Sequence, residues 1–236
     1  MNGLIALLGS GEYLSVMDDV DRHLLANCGV TDRKPRVVCL PTAAGKEGDT
    51  SVNRWSKMGV EHFTRLGADV QAVPVIDAES ANDLNHASAV EDADVVYFSG
   101  GDPSYLHRTM KDSLVWQAAQ KAWARRAVYA GCSAGAMILA RQIPSFRLFS
   151  TVPGFGIMPA QYILPHFDAV PVMFKPLISA LTGRLKKGEC MIGVDEDTAL
   201  VGRLGGTWTV MGKSKVYVFT NEGKTAYSNG QTLSLD

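Results

Sequence analysis

Residues 130 to 136 read Ala-Gly-Cys-Ser-Ala-Gly-Ala, a Gly-x-Ser-x-Gly pentapeptide centred on Ser133. The apolar run Ala127-Val128-Tyr129 precedes it and Met137-Ile138-Leu139-Ala140 follows, so it lies at a junction between a short buried strand and a helix. Strand, tight turn and helix are the setting of a nucleophile elbow, because the turn lifts a hydroxyl clear of the sheet and leaves backbone N–H groups beside it. The chemistry this implies is acyl transfer to serine. Gly131 and Gly135 let strand and helix approach closely, and Ala134 adds no bulk beside the hydroxyl. Such turns also serve packing or phosphate binding, so the other parts of the machinery must be found.

A serine hydroxyl is a poor nucleophile unless a base takes its proton, and the base usually needs a carboxylate to orient it. The chain has five histidines. His23, His62 and His86 fall in predicted surface helices, where a solvated ring is expected. His107 opens a helix after Gly100-Gly101 but has ordinary helical neighbours, Leu106 and Arg108. His166 differs, because it sits in the proline-fixed segment Leu164-Pro165-His166-Phe167 soon after the elbow helix, and it is the predicted base. The carboxylate is sought in Gly193-Val194-Asp195-Glu196-Asp197-Thr198, with Glu196 first and Asp195 second; Asp168 is the weaker third. Spacing alone does not rank these acids. The order serine, histidine, acid differs from the serine, acid, histidine order of α/β-hydrolases. Acyl transfer also needs donors for the developing oxyanion, each worth about 3 to 4 kcal/mol of transition-state stabilisation. The N–H of Ala134 is the predicted first donor and that of Gly101 the second, with Gly100 close behind.

These residues need a scaffold, and the chain supplies the pattern of one. Apolar runs at 4 to 8, 37 to 40, 70 to 75, 95 to 99 and 127 to 130 read as strands. They alternate with amphipathic stretches at 16 to 26, 52 to 66, 81 to 90 and 106 to 124, as in a parallel sheet flanked by helices. Right-handed crossovers then place the turns Gly9-Ser10-Gly11, Pro41-Thr42-Ala43-Ala44-Gly45, Gly100-Gly101-Asp102 and Gly131-Cys132-Ser133 at carboxyl strand ends, the edge where ligands bind. Thr42, Gly100 and Asp102 are accordingly the predicted substrate-contacting residues. Beyond residue 140 the chain reads as loop-rich, then as a helix at 174 to 185, then as strands at 191 to 194, 198 to 201, 207 to 211 and 216 to 219. Gly205-Gly206 and Asn229-Gly230 are hairpin-turn signals, which predicts a closing β-meander. A single domain over 1–236 is expected, with residues 203–236 as a C-terminal β extension.

Composition narrows the function classes. With 46% hydrophobic and 20% charged residues the 236-residue chain has material for a large core. A formal net charge of -1 leaves no footprint for nucleic acid or an anionic membrane surface. The first apolar run is short and lacks a preceding positive region, so neither a signal peptide nor a membrane span is expected there. Cys28, Cys39, Cys132 and Cys190 are scattered, without a Cys-x-x-Cys pair or nearby histidines. Neither a zinc site nor a disulfide framework is expected, and a reducing cytoplasm is the expected home.

Taken in order, Tyr97-Phe98-Ser99-Gly100-Gly101-Asp102, Gly131-Cys132-Ser133-Ala134-Gly135-Ala136, Pro165-His166-Phe167 and Ile192-Gly193-Val194-Asp195-Glu196-Asp197-Thr198-Ala199-Leu200 resemble the serine peptidase family of dipeptidase E (aspartyl dipeptidase) and cyanophycinase. Cys39-Leu40-Pro41-Thr42-Ala43 is similar to a further segment of cyanophycinase-like members, and the likeness covers roughly residues 1 to 202. The resemblance implies a class I glutamine amidotransferase-like (flavodoxin-like) α/β fold, a three-layer sandwich with a mostly parallel central sheet. It also implies Ser133 as nucleophile, His166 as base and Glu196 as acid, with no metal or organic cofactor. Members cleave α-aspartyl dipeptides in one branch and β-aspartyl-arginine linkages in the other, so the implied partner is a small peptide, bound by a monomer or homodimer. This chain departs from cyanophycinases at Pro103, where they carry glutamine, and in the apolar stretch after His166-Phe167, where they carry arginines. Lys175, Arg141, Arg147 and Arg184 are the cations that would have to receive an acidic substrate side chain. Three rival readings remain: a cyanophycinase-like isopeptidase, a glutaminase subunit using Cys132, and a non-catalytic binding protein of the same fold. A nucleotide site at Gly9-Ser10-Gly11 is set aside, because position 14 is Leu14 rather than the third glycine.

Overall fold

The structure, a computed structural model, describes residues 2–145 and 150–235. Each apolar run of the first half forms a strand, and the amphipathic stretches form helices, the last of them two. In chain order these are β1 (Ile5–Leu8), α1 (Asp18–Ala26), β2 (Arg36–Leu40), α2 (Asp49–Arg65), β3 (Asp69–Ala72), α3 (Leu84–Glu91), β4 (Val95–Phe98), α4 (Pro103–Met110), α5 (Leu114–Ala124), β5 (Val128–Cys132) and α6 (Ala134–Met137). The second half continues with β6 (Gln142–Ser145), β7 (Ser150–Pro153), β8 (Tyr162–Leu164), α7 (Lys175–Thr182), β9 (Met191–Val194), β10 (Thr198–Gly202), β11 (Thr207–Gly212), β12 (Lys215–Thr220), β13 (Gly223–Ser228) and β14 (Thr232–Ser234).

The central sheet runs β14-β11-β10-β1-β5-β4-β2-β3. Its five strands from β1 to β3 are parallel, and β10, β11 and β14 extend it antiparallel from the free side of β1. Alternate residues of each strand feed opposite faces, as the two-residue side-chain period requires. Ile5, Leu7, Val38, Leu40, Val96, Phe98 and Tyr129 pack with the side of α4 and α5. Ala6, Leu8, Val37, Cys39, Tyr97, Ala130 and Cys132 pack with α1 and α2. The result is a three-layer α/β sandwich.

A second sheet, β13-β12-β9-β8, stands beside the first, with β8 and β9 parallel, β12 antiparallel to β9, and β13 antiparallel to β12. Phe167 packs on its face: a Cβ on Gly193 would lie 2.8 Å from the ring, and Tyr217 and Phe219 sit at centroid distances of 5.1 and 5.5 Å. The C-terminal strands are therefore present but shared between the sheets, since β10 and β11 pair in one, β12 and β13 in the other, and β14 returns to β11.

Several expectations are corrected. The stretch 106 to 124 is two helices, because Asp112 takes a φ of 61° and Ser113 caps α5 by accepting the Trp116 N–H at 3.1 Å. The segment read as loop-rich contains the β6–β7 hairpin and β8. Asn229-Gly230 joins strands of different sheets rather than closing a hairpin. His62 is buried at 3% exposure, not solvated, and its Nε2 lies 2.8 Å from the buried Asp21 carboxylate. Among the described residues, no helix is long and apolar enough to cross a membrane.

Candidate active site

Ser133 follows β5 and takes φ 49° and ψ -106°, a left-handed backbone that a non-glycine residue adopts at a cost of about 1 to 3 kcal/mol. Its two flanking glycines are required by contact rather than by flexibility. A Cβ on Gly131 would lie 2.4 Å from the Gly135 carbonyl oxygen, and one on Gly135 would lie 2.7 Å from the Phe98 carbonyl oxygen. The Tyr129 hydroxyl donates to the Gly135 carbonyl at 2.8 Å and pins the helix start to the strand.

His166 and Glu196 arrive from the second sheet. His166 lies just beyond β8 and Glu196 just beyond β9, and these neighbours are parallel, so both residues leave the same strand edge. His166 Nε2 is 3.1 Å from Ser133 Oγ, and Nδ1 is 2.7 Å from Glu196 Oε1. Backbone bonds hold this geometry: the His166 N–H reaches the Gly9 carbonyl at 3.3 Å and the Phe167 N–H the Val194 carbonyl at 3.1 Å. The imidazole and the Glu196 carboxylate are 43% and 45% exposed, so the site is open to a substrate.

The other acids have different places. Asp195 is buried at 2% exposure and accepts the Ser214 hydroxyl at 2.8 Å and the Lys215 N–H at 3.2 Å; burial pushes its carboxyl above the usual range. Asp168 accepts the Glu196 N–H at 2.9 Å, so it fixes the backbone of Glu196 rather than the imidazole. His107 is half-buried against Phe155, with ring centroids 4.5 Å apart, and burial lowers its pKa. Cys132 is fully buried, and its pKa is pushed well up, first by burial and then by the neighbouring Glu12 carboxylate.

On the donor side, the Ala134 N–H starts α6 and so has no acceptor within the helix. Gly101 takes φ 142° and lines the cavity, and a Cβ there would lie 2.4 Å from the Ala43 carbonyl oxygen. Gly100, the near alternative, is buried, and its N–H is already donated to Glu12 Oε1 at 2.9 Å. Asp102 lines the cavity while capping α4 through the Tyr105 N–H at 2.9 Å, and Lys46 lies 3.5 Å from its carboxylate. Thr42 is fully buried and does not line the cavity.

Ser133 and His166 open on a cavity of about 830 Å³. Met137, Pro165, Val170, Pro171 and Phe174 make much of its wall, and Pro103 joins them from the first turn of α4. Among the described residues, the acids Glu47 and Asp102 supply its carboxylates. Lys175, Arg141 and Arg184 are exposed and not part of the lining, and Arg147 lies outside the described residues. Among the described residues, no group of three or more His, Cys, Asp or Glu is arranged to hold a metal ion. Glu12 is the site residue the sequence reading missed. It carried no motif signal, since its partners are a backbone N–H and a thiol 88 and 120 residues away.

Peptidase family S51 matches residues 5–207 of the chain. A cyanophycinase of Geminocystis herdmanii (strain PCC 6308) is 26% identical over 210 residues, covering 80% of this chain and 74% of that protein. A cyanophycinase of Synechococcus elongatus is 28% identical over 133 residues, covering 52% of this chain and 40% of its own length. A crystal structure of a peptidase from an acI-B1 Actinobacterium superimposes with a TM-score of 0.90 at 34% identity, covering 99% of this chain and 97% of that one. A candidate peptidase E from Listeria monocytogenes EGD-e shares the fold, with a TM-score of 0.65 at 18% identity over 91% of this chain and 100% of its own.

Proposed function

The chain belongs to peptidase family S51, and on that premise we propose that it is a serine peptidase of short peptides, with Ser133 as nucleophile, His166 as general base and acid, and Glu196 orienting the imidazole. The observation that supports this is the unbroken hydrogen-bond chain from Glu196 through His166 to a serine held on a strained elbow. With Nδ1–H donated to Glu196, Nε2 is free to accept the Ser133 proton as Oγ attacks the peptide carbonyl. The N–H groups of Ala134 and Gly101 receive the developing oxyanion. His166 then passes its proton to the leaving amine as the C–N bond breaks, and water removes the acyl group through the same imidazole.

The cavity supports the choice of substrate. Its volume suits a dipeptide or slightly longer peptide. The apolar wall favours a neutral side chain, and Glu47 repels an acidic one and attracts a cationic amino terminus, with Asp102 adding less because Lys46 lies 3.5 Å from its carboxylate. A neutral dipeptide is therefore the proposed substrate, ahead of an aspartyl one. The curated relatives favour a cyanophycinase-like isopeptidase as the second reading; Pro103 and the apolar stretch after Phe167 weigh against it. The burial of the Cys132 thiol weighs against the glutaminase reading.

The experiment is a hydrolysis panel of neutral, α-aspartyl and β-aspartyl dipeptides, β-aspartyl-arginine and free glutamine, run with wild type, Ser133→Ala and His166→Ala. Neutral dipeptides are expected to be cleaved, with turnover falling about a thousandfold or more in both variants. Near-normal turnover in either variant overturns the mechanism. Fastest cleavage of an aspartyl peptide overturns the substrate preference alone.

A further inference from the structure

Glu12 follows the Gly9-Ser10-Gly11 turn at the end of β1 and is buried at 8% exposure. Its carboxylate joins two other strand ends. Oε1 accepts the Gly100 N–H at 2.9 Å, and Oε2 accepts the Cys132 thiol at 3.0 Å. Gly100 immediately precedes Gly101, and Cys132 immediately precedes Ser133. A Cβ placed on Gly100 would lie 2.8 Å from Glu12 Oε1, 3.3 Å from Ser133 Cβ and 3.8 Å from Ser133 Oγ, so the carboxylate and the serine both crowd the side of Gly100 where a side chain would stand.

We propose that Glu12 is a positioning residue for the oxyanion hole, resting on the serine peptidase reading above. Two adjacent glycines have no side chains to fix their peptide planes. By capturing the Gly100 N–H, Glu12 fixes the plane between Ser99 and Gly100, and the Gly101 N–H becomes the donor that this turn offers to the cavity. The thiol bond fixes the carboxylate in turn, tying it to the strand that carries Ser133. Preorganisation is what makes such a hole effective, since donors that must first rotate into place forfeit much of their effect, and a displacement of about 1 Å can cost about a hundredfold in rate. The useful property of Glu12 is its acceptor oxygen and not its charge, because a negative charge so near a developing oxyanion opposes the reaction.

Glutamine keeps that oxygen, and its amide NH2 can face the Cys132 sulfur; leucine keeps the volume and removes both acceptors. The test compares Glu12→Gln and Glu12→Leu with wild type and Ser133→Ala on a dipeptide the wild type cleaves, and measures binding of a peptide boronate that mimics the tetrahedral intermediate. Glu12→Leu is expected to lose about a hundredfold in kcat with KM within about twofold, and to bind the boronate more weakly by a similar factor. Glu12→Gln is expected to stay within about fivefold of wild type in both, a rescue that a need for the charge does not predict. Wild-type kcat in Glu12→Leu overturns the proposal, as does a Glu12→Gln that falls as far as Glu12→Leu. If Glu12→Leu fails to fold, Glu12→Met takes its place under the same criteria. Normal turnover in Ser133→Ala would defeat the serine reading itself, whereas an inactive Ser133→Ala beside a fully active Glu12→Leu defeats the Glu12 proposal alone.

Discussion

In the proposed mechanism Glu196 acts through one bond, 2.7 Å to Nδ1 of His166, which selects the imidazole nitrogen that holds the proton. Glu196→Gln keeps the size but can present an NH2 to Nδ1, which favours the wrong tautomer. Turnover is expected to fall by about a hundredfold to ten-thousandfold with little change in KM, and steady-state kinetics against pH checks it. Cys132, next to the serine, predicts the opposite behaviour. Its buried, pKa-raised thiol should resist iodoacetamide in the folded protein, and Cys132→Ser, whose hydroxyl can still donate to Glu12, should keep at least about a tenth of wild-type turnover. Rapid alkylation of Cys132 with loss of activity would contradict this. At this scale the stretches that the structure brings together through Ser133, His166 and Glu196 were legible, because glycine, proline or acid spacing marks each of them. Asp195 and Glu196 were not separable by sequence, since one residue of register decides which carboxylate faces the imidazole. His62 was misread, although it shares a helix face with Val52, Gly59 and Phe63, which are buried; that spacing was the available clue.

Secondary elements were legible where periodicity is strong and obscure where a cap or a pairing partner decides. Nothing apolar interrupts the pattern from Leu106 to Ala124, yet Asp112 and Ser113 break it in two. Ser113 is 1% exposed, its hydroxyl donates to the Met110 carbonyl at 2.8 Å, and its oxygen accepts the Trp116 N–H at 3.1 Å. Ser113→Ala removes both bonds and is expected to destabilise the fold by about 1 to 2 kcal/mol while leaving kcat/KM near wild type. Thermal unfolding beside a peptidase assay checks it, and an unchanged midpoint would deny the cap its role. The strands β6 and β7 were hidden because each carries a proline, Pro144 and Pro153, within a two-stranded pair, an edge setting where proline is tolerated, and β8 because it is three residues long between Pro159 and Pro165.

For the whole molecule, the parallel half of the central sheet was legible from strand and helix alternation. The second sheet was not, because its pairings join residues distant in sequence: β12 pairs with β9 across the intervening β10–β11 hairpin. In the proposed mechanism that sheet supplies His166 and Glu196 to the edge where β5 and β4 bring Ser133 and Gly101. On the far face of the central sheet, Arg65 of α2 holds Asp18 of α1 through two bonds of 2.6 Å, and this pair keeps the Asp18 carboxyl below the usual range. The folded state therefore binds this proton less readily than the unfolded state. The stabilisation is present above the ordinary carboxylate range and is lost as pH falls through the lowered folded pKa. Asp18→Asn should flatten the acid side of the stability profile measured by urea denaturation at several pH values, and an unaltered profile would contradict the assignment. The account as a whole rests on the acylation of one hydroxyl. Its most direct measurement is the trapping of a covalent adduct with a fluorophosphonate or a slow peptide ester, located by mass spectrometry of the digested protein. An adduct on Ser133, absent after His166→Ala, is the expected result; an adduct on Cys132, or dipeptide cleavage with Ser133 left unmodified and dispensable, would contradict it.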